Sequence, residues 1–164
     1  MTKKLRRLFP KLFGGQYSLT SGRTNRYNCV AWATGHDDAW WEASLDGYWP
    51  QGVRGDGTVE AAIELFQSFG FTCTSLGDVG LEKEVLKVAI YGDEEGYTHV
   101  ARQLPNGRWT SKIGKLQDIE HDSLDALTSA ISRIGTDDDK AYGNLAQIMR
   151  NDQAHLRPAS DAAS

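Results

Sequence analysis

The stretch "RTNRYNCVAWATGHDD", residues 23–38, decides how the rest of the chain is read. Asn28 directly precedes Cys29, "VAWA" follows as a short apolar run, and Gly35 closes it. Asparagine is a strong helix N-cap and glycine is favoured just past a helix end. The stretch therefore predicts a short buried helix from about Asn28 to Gly35. A cysteine in its first turn has two readings. It is a small apolar residue filling a core, or it is a nucleophile. The unpaired N–H groups and partial positive charge of a helix start would favour its thiolate.

Outward from this helix the period of the apolar residues changes. Residues 36–57 carry little periodicity and many Gly, Asp and aromatic residues, which predicts a packed loop. "TVEAAIELFQSFG" (58–70) predicts a helix with Thr58 as N-cap and a stripe of Val59, Ala62, Ile63, Phe66 and Phe69. "GFTCTSL" alternates like a strand and places Cys73 as a small buried residue. "VLKVAIYGD" (85–93), "YTHVARQL" (97–104), "RWTSKIG" (108–114) and "YGNLAQIMR" (142–150) read as strands, with "PNG" between the second and third as a hairpin turn. "DSLDALTSAISRIG" (122–135) predicts an amphipathic helix with Leu124, Leu127, Ile131 and Ile134 on one side. Helices followed by an antiparallel sheet make the fold class α+β. The expected organisation is a basic, partly flexible leader at 1–16, one domain over 17–151 and a flexible polar tail at 152–164.

Composition narrows the function classes. The chain has 164 residues, enough for one well-buried core, with 40% apolar and 24% charged residues. A formal charge of −4 without a basic face points away from nucleic acid. No apolar run approaches the roughly 18 residues of a membrane span. Two cysteines do not make a disulfide framework, so a reduced, cytoplasmic setting is the expectation.

A thiol nucleophile needs a base. Of the four histidines, His99 is the best candidate, because it lies on a predicted strand that can aim it rigidly. His36 falls in the loop "GHDD", His121 in "DIEH" and His155 in the tail. Cysteine on a helix start, then histidine on a strand, then a hairpin is the order seen in "YNCVAWA", "THVARQL" and "RWTSKIG". This order resembles that of papain-like thiol hydrolases, including the NlpC/P60 and CHAP branches. The run from Tyr17 to about Met149, with "WW" (40–41), "YWP" (48–50), "KVAIY" (87–91) and "DIEH", also resembles an uncharacterised bacterial domain family. The resemblance implies a papain-like fold, with a Cys-bearing N-terminal helix packed on a small antiparallel sheet. It implies hydrolysis or acyl transfer at an amide through Cys29 and His99.

Such enzymes orient the histidine with a third polar group. A two-residue "NG" turn would put Thr110 on the His99 face. A three-residue "PNG" loop would put His99 opposite Ile113 and bring Ser111 onto its face. Alignment of "TSKIG" with the family's NSWG-like motif favours Ser111. Asp118 or His121 could reach back instead. The Cys29 N–H, with the amide of Asn25 or Asn28, would form the oxyanion hole, Asn25 being preferred because Asn28 is needed as a cap. Trp40, Trp41 and Trp49 could line a groove, although packing is the commoner use of such a cluster. No metal is expected, since Cys29, His99 and His121 lack a close-spaced ligand pair, and no cofactor is called for. Partners would be a peptide or protein substrate; the oligomeric state is not fixed by sequence. The rival reading is a binding domain on the same fold that keeps the cysteine as a relic. A regulatory or immunity partner is a third.

Overall fold

The computed structural model of the protein describes residues 2–43, 47–113, 115–128 and 142–152. Helix α1 (Thr2–Leu8) runs into a 3-10 turn (Pro10–Gly14) and strand β1 (Tyr17–Leu19). Helix α2 (Cys29–Ala33) and helix α3 (Val59–Ser68) come before β2 (Thr72–Thr74), β3 (Leu86–Asp93), β4 (Gly96–Gln103), β5 (Trp109–Lys112) and β6 (Asp118–His121). A 3-10 turn (Asp125–Leu127) and β7 (Asn144–Asn151) complete the order. The fold is α+β, with one seven-stranded sheet in the order β1-β6-β5-β4-β3-β7-β2, every pairing antiparallel. Among the described residues no helix is long and apolar enough to cross a membrane.

Local chemistry explains the helix limits. The Asn28 Oδ1 accepts from the Ala31 N–H at 3.1 Å, and Gly35 takes φ +86° after the last turn of α2. Thr58 caps α3 through the Ala61 N–H at 3.1 Å. The buried stripe of α3 is Ala61, Ala62, Leu65 and Phe66, rotated from the expected one, and Phe69 is left 38% exposed.

The sheet has two covered faces. On one, Ala89, Tyr91, Ala101, Trp109 and Ile119 pack against Leu5, Leu8, Phe9 and Leu12. The apolar residues Leu5, Leu8, Phe9 and Leu12 of the leader are therefore part of this core. On the other face, Val88, Ile90, Val100 and Met149 pack against α2 and α3. Both faces must be apolar when both are covered, which is why β3 reads as a nearly continuous apolar run.

Two expectations change, and one strand is added. Cys73 is exposed, because β2 is a three-residue edge strand paired only with β7. "DIEH" is a strand, whose polar side chains are buried against partners and so left no apolar period to read. In "DSLDALTSAISRIG" the described part is the 3-10 turn Asp125–Leu127, with Leu124 and Leu127 buried; the remainder of that stretch, and the tail beyond residue 152, lie outside the described residues.

The β3–β4 hairpin is held from outside. Gly96 takes φ +140°, and a Cβ there would sit 2.1 Å from the Gly57 carbonyl oxygen. That same oxygen accepts the Tyr97 N–H at 3.1 Å. Gly96→Ala should therefore cost about 2–4 kcal/mol of stability. Urea unfolding would measure it, and an unchanged midpoint would refute the close approach.

Candidate active site

The site begins where β4 and β5 part. Among the described residues their ladder joins only Arg102↔Thr110 and Gln103↔Trp109. The Leu104 N–H donates to the Arg108 carbonyl at 2.7 Å, and Gly107 takes φ +85°. The turn is thus the three-residue "PNG" loop, with glycine supplying the left-handed position. This register puts Ser111 on the His99 face and Thr110 on the other, where the Trp32 Nε1–H donates to it at 2.9 Å.

Side chains alternate along β4. His99, with Tyr91 and Ala101, points to the face covered by α1, while Val100 points to the face covered by α2. Cys29 opens α2 on that second face. The backbone of Val100, the residue after His99, is close enough to its thiol to ease the cost of a charge there. The thiol therefore neighbours the backbone just after His99 on the α2 side of the sheet, while the buried His99 ring points to the α1 side and is not part of the cavity lining. A cavity of about 180 Å³ crosses both faces here. Leu8, Phe9 and Tyr142 wall it from one side and Asn28, Cys29 and Val30 from the other, with Trp40, Glu42, Tyr97 and Lys115 around its mouth.

Cys29 is partly exposed as a residue and lines this cavity. Burial pushes the thiol up to about 11. Backbone hydrogen bonds from Val100, Val30 and Cys29 itself, and the charge of Lys112, only partly offset that cost. The Lys112 Nζ sits just behind the wall, donating to the carbonyls of Thr24 at 2.8 Å and Leu116 at 2.5 Å. At rest Cys29 is a neutral thiol.

His99 is fully buried, and burial holds it well below the usual imidazole range. Its protonation is legible from the bonds beyond it. The His121 Nδ1 lies 2.8 Å from the Ser123 carbonyl, which can only accept, so Nδ1 carries the proton. Burial pushes His121 down to about 4, so its Nε2 is a bare acceptor. Ser111 Oγ, 2.9 Å away, must donate its one proton to that nitrogen. Ser111 then has only lone pairs for the His99 Nε2 at 2.9 Å, so His99 Nε2 carries a proton. The remaining nitrogen, His99 Nδ1, has no hydrogen-bond partner among the described residues. It is a bare lone pair. The His99 ring lies flat on Tyr142, with centroids 4.1 Å apart and planes 2° apart.

Other expected residues take other places. Asn28 is spent on structure: besides capping α2 it accepts the Trp41 N–H at 3.1 Å and donates to the Trp41 carbonyl at 2.7 Å. Asn25 is exposed and is not part of the cavity wall. Asp118 faces away from His99, accepting the Tyr27 hydroxyl at 2.5 Å, because its strand position puts it on the α2 face beside Lys112. Trp41 is core, stacked on His36 at 4.8 Å, and Trp49 stacks on Tyr97 at 6.3 Å beside a separate recess. Of the three tryptophans, Trp40 lines the cavity. Sequence reasoning passed over Tyr142, Thr98 and the leader residues Leu8 and Phe9; "YG" before a strand carries no chemical signal. Among the described residues no three His, Cys, Asp or Glu side chains are grouped to hold a metal ion.

The model of the family described as a domain of unknown function (DUF7689) matches residues 18–150, and the chain belongs to that family. No curated protein and no solved structure matches it significantly.

Two measurements check this electrostatic picture. With Cys73→Ser removing the exposed thiol, the thiolate absorbance of Cys29 should appear near pH 11, and a plateau of thiolate at neutral pH would contradict it. Stability should also depend on acid. His121 titrates near 6.5 when unfolded and about 4 when folded, so the unfolded chain binds more protons between those values. The stabilisation is complete above about pH 6.5 and is lost as pH falls toward 4, on the order of 3 kcal/mol for His121. Denaturant midpoints should drop through that window, and His121→Gln should flatten the drop.

Proposed function

We propose that this DUF7689 chain is a papain-like cysteine hydrolase or acyltransferase acting on an amide bond. The substrate would be a peptide, a cell-wall crosslink or a protein side-chain amide. The observation that carries the reading is the unsatisfied lone pair on His99 Nδ1, left there by the relay through Ser111 and His121, on the strand whose next residue, Val100, neighbours the Cys29 thiol. A buried imidazole nitrogen without a donor is costly in a core and useful beside a thiol.

The steps balance as follows. His99 Nδ1 takes the Cys29 proton as the sulfur attacks the amide carbon, forming a C–S bond and an oxyanion. The oxyanion collapses, the C–N bond breaks, and the leaving nitrogen takes the proton from His99. Water or an acceptor amine then attacks the thioester, with His99 as base again, and releases the thiol. Because the resting pair is neutral, proton transfer accompanies attack rather than preceding it. Ser111 and His121 hold the His99 ring in the tautomer this needs. The Cys29 N–H is the candidate oxyanion donor.

One observation favours a binding domain instead: the raised thiol, which is what a merely structural cysteine would show. The two readings part on one experiment. Alkylation of Cys29 by iodoacetamide at pH 7, in a Cys73→Ser protein, should slow at least about tenfold in His99→Gln, the low end of what a positioned base contributes. Ser111→Ala should slow it by a smaller factor while keeping the fold. Equal rates in all three would favour the binding domain.

A further inference from the structure

Thiol hydrolases commonly stabilise the imidazolium formed during attack with an amide or a carboxylate. Here the group in that place is Ser111, neutral and with its only proton turned toward His121. The titratable groups that face His99 are Tyr91 from β3, whose ring is 5.5 Å away, His121 beyond Ser111, and Tyr142; Cys29 from α2 neighbours the next backbone position, Val100. α1 and its 3-10 turn bring Phe9, while Lys11 pairs with Asp125 at the surface, 3.1 Å apart. Asp118, Arg102 and Lys112 lie on the opposite face of the sheet, around Tyr27 and Trp32. Among the described residues, no carboxylate faces the ring.

Tyr142 does. Its ring covers His99 face to face at 4.1 Å and 2°, and Phe9 covers the ring of Tyr142 in turn at 4.7 Å. The Thr98 hydroxyl donates to the Tyr142 carbonyl at 2.6 Å, tying the backbone of that residue to the strand that carries His99. Tyr142 also lines the thiol cavity. The face of an aromatic ring is the negative end of its quadrupole, and a cation held over it in a desolvated site is attracted strongly.

We propose that Tyr142 is the positioning residue that stabilises the His99 imidazolium, its π face taking the part that a carboxylate has elsewhere. This rests on the thiol-hydrolase reading. While His99 is neutral the stack is ordinary aromatic packing; once Nδ1 accepts the Cys29 proton, the same contact becomes a cation over a ring. The tyrosine hydroxyl is not needed, and the electron density of the ring is.

The test changes that density while keeping the shape. In the full chain with Cys73→Ser, Tyr142→Phe should keep the iodoacetamide rate of Cys29 at pH 7 within about twofold. Difluoro- and then trifluorophenylalanine at the same position should lower it stepwise, by about 3- to 30-fold over the series, the range of a cation–ring contact. In a His99→Gln protein the series should be flat. A flat series with His99 present overturns the proposal, and leaves the hydrolase reading standing if His99→Gln alone still slows alkylation. A series that falls equally without His99 also overturns it, since the ring would then act on packing or on the sulfur. If His99→Gln has no effect by itself, both readings fall. Tyr142→Leu, melting at the same temperature as Tyr142→Phe yet alkylated several-fold more slowly, would support the proposal by a second route.

Discussion

A strand edge left without a neighbour must be covered, and among the described residues β5 pairs with β4 only at Arg102 and Gln103, leaving the strand before them without β5. Cys29, at the start of α2, sits against the Val100 backbone there, which partly offsets the cost of a thiolate. Asn28 then holds the helix start and, with two further hydrogen bonds, the backbone of Trp41. The loop carrying Trp40 is thereby drawn across the same opening. A helix of five residues has little stability of its own; its position is set by the Asn28 hydrogen bonds, by the Val100 contact and by the packing of Val30, Ala31 and Ala33.

On the far side of the sheet the ordering principle is proton count. A serine hydroxyl has one hydrogen, and a backbone carbonyl has none. Those two facts propagate from the Ser123 carbonyl through His121 and Ser111 and leave His99 a single tautomer. Burial adds to this by keeping both imidazoles neutral. The result is an imidazole whose proton is placed from strands β5 and β6.

The sequence was legible where apolar periodicity and capping chemistry coincide. Helix α3 with Thr58 and Gly70, the hairpin around "PNG", and strands β3, β4 and β7 were all visible for that reason. It was silent where polar side chains are buried in pairs. β6 has Asp118 against Tyr27 and His121 against Ser111, so its four residues show no apolar rhythm. Of the candidate site, residue order pointed to Cys29 and His99, and the loop length decided whether Ser111 or Thr110 shared the His99 face. The protonation of the thiol was not readable, because it depends on depth in a cavity whose walls come from both ends of the chain. Tyr142 was not readable either, since its role follows from a ring orientation that no local motif encodes.

The leader gives the fold a division of labour. The family match begins at residue 18, yet Leu8 and Phe9, upstream of it, form part of the wall beside the thiol. The sulfur, the imidazole and its relay all lie inside the matched span. A chain that shares only that span need not share Leu8 and Phe9, so the wall of the recess beside the thiol can change through one short upstream segment while the proton relay stays as it is.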